Sequence, residues 1–154
     1  MNLMTEEFAE SLGIKQRRCA IPIGTLDNLT TIAKRHITAT FTFTDDAYKR
    51  TLSFLVIPTI STLIPNQRID RSLLDIPRNL RLADTRFHIP APIDVLLSSG
   101  STLASMFVGQ INLTKPDEPE LRLQRTRFGW VIGGSPTSQT ATKYLPCIHY
   151  GSTS

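Results

Sequence analysis

From His36 to Thr44 the chain alternates residue by residue: Ile37, Ala39, Phe41 and Phe43 are interleaved with His36, Thr38, Thr40, Thr42 and Thr44. A helix repeats its apolar positions about every 3.6 residues, so a strict period of two predicts a strand with one apolar and one polar, β-branched face. Asp45-Asp46-Ala47-Tyr48 supplies a turn, after which Leu52, Phe54 and Val56 resume the alternation up to Pro58. Two such runs across a short polar link read as a hairpin. Any fold for this chain has to cover that hairpin's apolar face.

Ahead of the hairpin, Thr5 suits a helix N-cap, Glu6 and Glu7 fall in the first turn where the helix dipole favours anions, and Gly13 suits the stop. Met4, Phe8 and Leu12 at i, i+4 and i+8 predict one apolar stripe on that helix. Ala20-Ile21-Pro22-Ile23 is a short apolar run whose proline belongs on an edge or at a strand end. From Pro58 to Pro92 prolines recur, and Arg71 to Asp75 is the only helical hint in a loop-rich excursion. Ile93 to Leu97 reads as a buried strand entering a tight turn at Ser98-Ser99-Gly100-Ser101, and Thr102 to Val108 as a helical turn. Lys115 to Glu120 reads as a solvated loop, and Leu121 to Ile132 as a strand pair or one long strand closed by Gly133-Gly134. The pattern predicts one mainly β domain over residues 1–134, a small closed barrel or open sandwich with a short N-terminal helix and one helical turn. Residues 135–154, rich in Ser and Thr, read as a flexible tail.

Composition narrows the function classes. The 154 residues make one domain's worth, and 17 Lys+Arg against 13 Asp+Glu give a net charge of +4, weak for a nucleic-acid binder. No apolar run approaches the roughly 18 residues of a spanning helix, and the start has no secretory pattern, so an intracellular, cytoplasmic protein without a membrane partner is expected. Cys19 and Cys147 are far apart without a paired motif, so two thiols are favoured over one disulfide. The glycosylation triplets Asn28-Leu29-Thr30 and Asn112-Leu113-Thr114 then read as chance matches.

Common catalytic patterns are missing. His36, His88 and His149 are scattered without a second ligand at metal spacing, so no metal or organic cofactor is expected. Gly-x-Ser-x-Gly does not occur, and Gly133-Gly134 lacks the lysine and helix of a phosphate loop. Asp45-Asp46 are neighbours that point different ways, which suits a turn and not a catalytic dyad. Arg122, Arg125 and Arg127 with Phe128 and Trp130 fit either a basic aromatic platform for single strands or a strand with one wet and one buried face. The second is favoured, so nucleic acid is not the expected partner.

Four segments, in order, resemble the aspartic peptidase domain of Pao/BEL-type retrotransposon polyproteins, a relative of the retropepsins. Leu3-Met4-Thr5-Glu6-Glu7-Phe8-Ala9-Glu10-Ser11-Leu12-Gly13-Ile14 resembles the helix after that family's active-site loop, and Ala20-Ile21-Pro22-Ile23 its lead into the flap. Leu80-Arg81-Leu82-Ala83-Asp84, with Phe87-His88 and Pro92-Ile93-Asp94-Val95-Leu96-Leu97, is similar to the stretch before its second turn. Thr126-Arg127-Phe128-Gly129-Trp130-Val131-Ile132-Gly133-Gly134 is similar to its closing segment. The resemblance implies a closed β-barrel acid-protease half that pairs with a second copy, so a homodimer, and acts on a peptide or polyprotein without metal or organic cofactor. Two carboxylates about 3 Å apart cannot both ionise, so one takes a proton from water while the other gives one to the scissile carbonyl. Each subunit of such a dimer supplies one Asp from an Asp-Ser/Thr-Gly turn.

The chain departs from that pattern at the acid. No Asp-Ser/Thr-Gly occurs in it, and by motif spacing the family's triplet would fall about five residues before Met1. No catalytic residue is therefore assigned, and the chain is expected to be an incomplete, inactive peptidase domain, with the stripe of Met4, Phe8 and Leu12 imperfectly covered and the fold weakened. The resemblance places substrate contacts at Ile23, Gly24 and Thr25 of the flap, which keeps one glycine in Gly24-Thr25-Leu26-Asp27-Asn28, and at Leu97 and Ser98. Ser98 stands where glycine is usual, and its Cβ is expected to resist positive φ. Ser98-Ser99-Gly100 mimics the active-site triplet, but a hydroxyl cannot share a proton as a carboxyl does. The alternative is a non-enzymatic basic β-rich module that binds nucleic acid or partner chains.

Overall fold

The computed structural model describes residues 1–24, 29–42 and 48–135. Its elements run β1 (Asn2–Thr5), α1 (Glu6–Ser11), β2 (Arg17–Gly24), β3 (Thr30–Thr42), β4 (Lys49–Ile57), β5 (Val95–Leu96), α2 (Ser99–Ser105), β6 (Met106–Asn112), β7 (Leu121–Thr126) and β8 (Gly129–Gly134), with a 3-10 turn at Arg71–Leu73. The chain is mainly β. Five strands form one sheet in the order β2-β3-β4-β1-β5, and three form a second, β6-β7-β8. Both sheets are open, so among the described residues the expected closed barrel is replaced by two separate sheets.

The alternating hairpin is the centre of the larger sheet. β3 and β4 pair antiparallel with Ile37 opposite Phe54 and Ala39 opposite Leu52. Their apolar side chains converge with Met4 and Val56 into one cluster, against which Phe8, Phe41, Leu52, Val95 and Leu97 pack. Phe41 and Phe54 meet with ring centroids 5.4 Å apart, tilted by 54°. The hairpin's turn, with Phe43 and Asp45-Asp46, lies outside the described residues. β2 borders β3 as an edge strand, which places Pro22 where its missing N–H is harmless. Ile23 turns inward to a second cluster with Leu3, Ala33 and Ile57.

The N-terminal segment is shorter as a helix than its stripe suggests. Thr5 caps α1, its Oγ1 accepting from the Phe8 N–H at 3.4 Å, and Gly13 follows the helix at φ +64°. Met4, however, belongs to β1, which runs parallel to β4 with Met4 opposite Val56. Met4 is 0% exposed while Leu12 is 37% exposed. The stripe is therefore closed at its strand end and open at its helix end, where Leu12 is left uncovered.

Two further expectations change. The run Ile93–Leu97 forms only the two-residue edge strand β5 beside β1, with Leu96 exposed instead of buried. Ser98 does not sit in a tight turn. It caps α2 at φ −64° and ψ 160°, with its Oγ accepting from the Ser101 N–H. That is ordinary extended backbone, so serine meets no strain there. The helix accordingly spans Ser99–Ser105, earlier than the predicted Thr102–Val108, and Met106 onward is strand. β7 and β8 resolve Leu121 to Ile132 into a strand pair that runs on through Gly133 and Gly134. Residues 136–154, nearly all of the expected tail, lie outside the described residues.

Candidate functional site

The larger sheet brings the chain's first strand beside its second motif. Asn2 Oδ1 accepts from the Ser98 N–H at 2.8 Å, and Asn2 Nδ2 donates to the Ser53 carbonyl at 3.1 Å. Three residues on, the Thr5 N–H donates to the Asp94 carbonyl and the Thr5 hydroxyl donates to Asp94 Oδ1, both at 2.9 Å. β1 is thereby laced to β4 on one side and to residues 94–98 on the other. One amide and one hydroxyl make contacts across 96 and 89 residues of sequence.

Leu97 and Ser98 are the candidate substrate positions on this seam. Leu97 lines a cleft of about 270 Å³ with Phe41, Leu52, Val95, Ser105 and Phe128. Its walls are apolar apart from the buried hydroxyls of Ser101 and Ser105 and the Arg50 side chain. Ser105 Oγ donates to the Thr102 carbonyl at 2.7 Å, so that hydroxyl is engaged inside α2. Ile23 and Gly24 stand elsewhere. They end β2, on the opposite edge of the sheet from β5, and the structure does not pair them with Leu97 and Ser98. Ile23 is buried in the second cluster, Gly24 is open, with nothing near the place of a Cβ, and Thr25 lies outside the described residues.

The arginine-rich segment resolves as a strand with two faces. Leu121, Leu123 and Thr126 are buried on β7. Arg122 holds Glu120 at 2.7 Å. The Arg127 guanidinium lies 3.9 Å from the Tyr48 ring centroid and 4.7 Å from that of Phe107, and Arg125 lies 5.3 Å from Phe107. Phe128 turns into the cleft, and Trp130 bonds to another segment: its N–H donates to the Arg81 carbonyl and its carbonyl accepts from the Ala83 N–H, both at 2.9 Å. Gly129 allows that approach, since a Cβ there would stand 2.9 Å from both the Ala83 nitrogen and the Arg81 oxygen.

A second, more open groove of about 400 Å³ is lined by Arg68, Asp70, Arg71, Ser72 and His88. The Ser72 hydroxyl first, and then its backbone N–H, holds the Asp70 carboxyl below its ordinary value of 3.8. Among the described residues no three His, Cys, Asp or Glu side chains gather into a metal site, and no helix is long and apolar enough to cross a membrane. Cys19 is a free thiol facing the Ala33 carbonyl, while Cys147 and His149 lie outside the described residues.

Sequence reasoning missed Asn2, the Thr5–Asp94 pair, and Ser105 and Phe128 as cleft walls. No local pattern marks them, because each acquires its neighbours only when distant segments meet. No protein-family model, no curated protein and no solved structure matches this chain.

Proposed function

We propose that these residues belong to a retropepsin-like aspartic peptidase domain of the Pao/BEL retrotransposon type. As they stand they hold no catalytic acid, and the parent enzyme's substrate is the peptide backbone of its own polyprotein. The reading is supported by how the motif-bearing segments meet. The Leu3–Ile14 segment lies against Pro92–Leu97 through the β1–β5 pairing and the Thr5–Asp94 bonds. The Leu80–Asp84 segment lies against Thr126–Gly134 through Leu82 and Trp130. Of the four stretches that carry the resemblance, the third thus meets both the first and the last, and Ile23 of the second shares a buried cluster with Leu3.

In this reading the chain's own residues position, and do not react. Asn2 fixes the backbone at Ser98, and Thr5 ties β1 to the Asp94 strand entry. In this reading Asp94 belongs to the seam, its Oδ1 accepting from the Thr5 hydroxyl.

The test is turnover of a fluorogenic peptide at acidic pH. The 154-residue chain is expected to show none. A polypeptide extended at its N-terminus by an Asp-Ser-Gly triplet in the family's spacing is expected to cleave, to be blocked by a transition-state-mimicking hydroxyl inhibitor, and to lose activity when that Asp becomes Asn. Hydrolysis by the unextended chain, abolished by changing one of its internal Asp residues, would overturn the reading. The non-enzymatic alternative, a module for partner chains, is favoured by one observation: the uncovered edge of the smaller sheet.

A further inference from the structure

Four strand edges are open to inspection, and three are guarded. β2 carries Arg17, Arg18 and Pro22 along its length, and β5 is only two residues long. β8 is covered at Trp130 by the Arg81–Ala83 backbone. Charges, proline, shortness and cover are the usual means of stopping a foreign strand from adding to a sheet. β6 has neither charge nor proline between Met106 and Asn112, and no described strand lies on its outer side.

The backbone of β6 is also displaced where it is least protected. Its register against β7 shifts between Met106, opposite Thr126, and Gln110, opposite Gln124, so Phe107, Val108 and Gly109 leave the ladder. Gly109 permits this at φ +138°. A bulge re-aims side chains, and here Val108 becomes 99% exposed. A bulge by itself can blunt an edge. This one instead holds out an apolar residue with no charge beside it on its own strand.

Charge arrives from β7 and the turn that follows it. Arg125 extends over Phe107, its guanidinium carbon 5.3 Å from the ring centroid, and that of Arg127 lies between the Phe107 and Tyr48 rings at 4.7 and 3.9 Å, so both cations border the edge strand. Neither makes an ion pair with a described carboxylate. Side chains directly opposite on paired strands stand about 5 Å apart at Cβ, which is within reach of both guanidinium groups for a carboxylate carried on an added strand.

The geometry points to β6 as a docking edge for an extended acidic segment of another polypeptide. That segment adds as a fourth strand, apolar against Val108 and anionic toward Arg125 and Arg127. Main-chain hydrogen bonds supply the affinity and the arginines supply the choice of partner. The inference is independent of the peptidase reading, since it concerns the second sheet and needs no catalytic acid.

The experiment is fluorescence anisotropy of the whole chain with a labelled heptapeptide alternating valine and glutamate. The same peptide with lysine in place of glutamate, and the glutamate peptide N-methylated at alternate residues, serve as controls. The glutamate peptide is expected to bind about tenfold more tightly than the lysine peptide and to weaken as salt rises. N-methylation, which leaves the protein untouched, and the exposed substitution Arg125→Gln are each expected to weaken it severalfold. Absence of binding, equal binding of the two charge forms, or indifference to N-methylation would overturn the proposal. So would a concentration-dependent dimer of the free chain that Val108→Lys dissociates in sedimentation, because the edge would then belong to a second copy.

Discussion

Thr5 does three things within one residue. Its Oγ1 accepts from the Phe8 N–H to start α1, its hydroxyl donates to Asp94 Oδ1, and its own N–H bonds the Asp94 carbonyl. Thr5→Ala keeps only the last. Losing a side-chain cap costs about 1 kcal/mol and leaving a part-buried acceptor short of a donor about 1 more, so a loss of roughly 2 kcal/mol is expected. Urea unfolding of Thr5→Ala beside Thr5→Ser reads this directly, since serine keeps the hydroxyl and most of the stability. Equal losses for the two would assign the effect to the methyl group's packing. The cap was legible in sequence because a hydroxyl before two glutamates is a local signal. The Asp94 bond was not, because its partner lies 89 residues away. Ser98 shows the converse. By the family resemblance it stands in a glycine's place, yet its φ of −64° makes it a helix cap, a role serine fills well.

At the scale of elements, the period-two run carried the most information. It placed Ile37, Ala39, Phe54 and Val56 on one buried face before any strand order was known. Met4 was misplaced because a residue one step before an N-cap fits an i, i+4 helical stripe as well as a strand end, and only the parallel pairing with β4 separates the two. The short strand β5 was overread as buried for a related reason. An apolar run of five does not say how many of its residues find a partner, and here two do. Phe54 sits where these pairings cross. It is 1% exposed, faces Ile37 across the hairpin and meets Phe41 ring to ring. Phe54→Ala is expected to cost about 3–5 kcal/mol, a large part of the stability of a domain this size. Loss of a cooperative thermal transition would show it, and Phe54→Leu should recover much of the difference by refilling the volume.

The whole molecule depends on how the two sheets are held. Among the described residues Arg127 stacks on Tyr48 at the start of β4 and Phe128 enters the cleft beside Phe41, Leu52 and Leu97, while the Arg127 N–H holds the Ser105 carbonyl at the end of α2 at 2.8 Å and Trp130 holds the Arg81–Ala83 segment. None of these was legible as a link, because a sequence shows the arginines and aromatics of residues 125–130 only as one strand's composition. Phe128 is the apolar member. Its removal enlarges a cleft already of about 270 Å³ and leaves the smaller sheet attached by polar and cation–π contacts. The two sheets have separate ladders, so the loss should fall on one of them. In Phe128→Ala, backbone amides of β7 and β8 are expected to exchange with solvent about tenfold faster, equivalent to roughly 1.4 kcal/mol, while those of Thr38 to Thr40 and Leu52 to Phe54 keep their original rates. Hydrogen exchange followed residue by residue separates the outcomes. If every protected amide accelerates by the same factor, the sheets open together and the cleft is part of one continuous core. If only the second sheet loosens, the molecule is a stable five-stranded body carrying a second, more weakly attached ladder, with the free β6 edge on its less stable part.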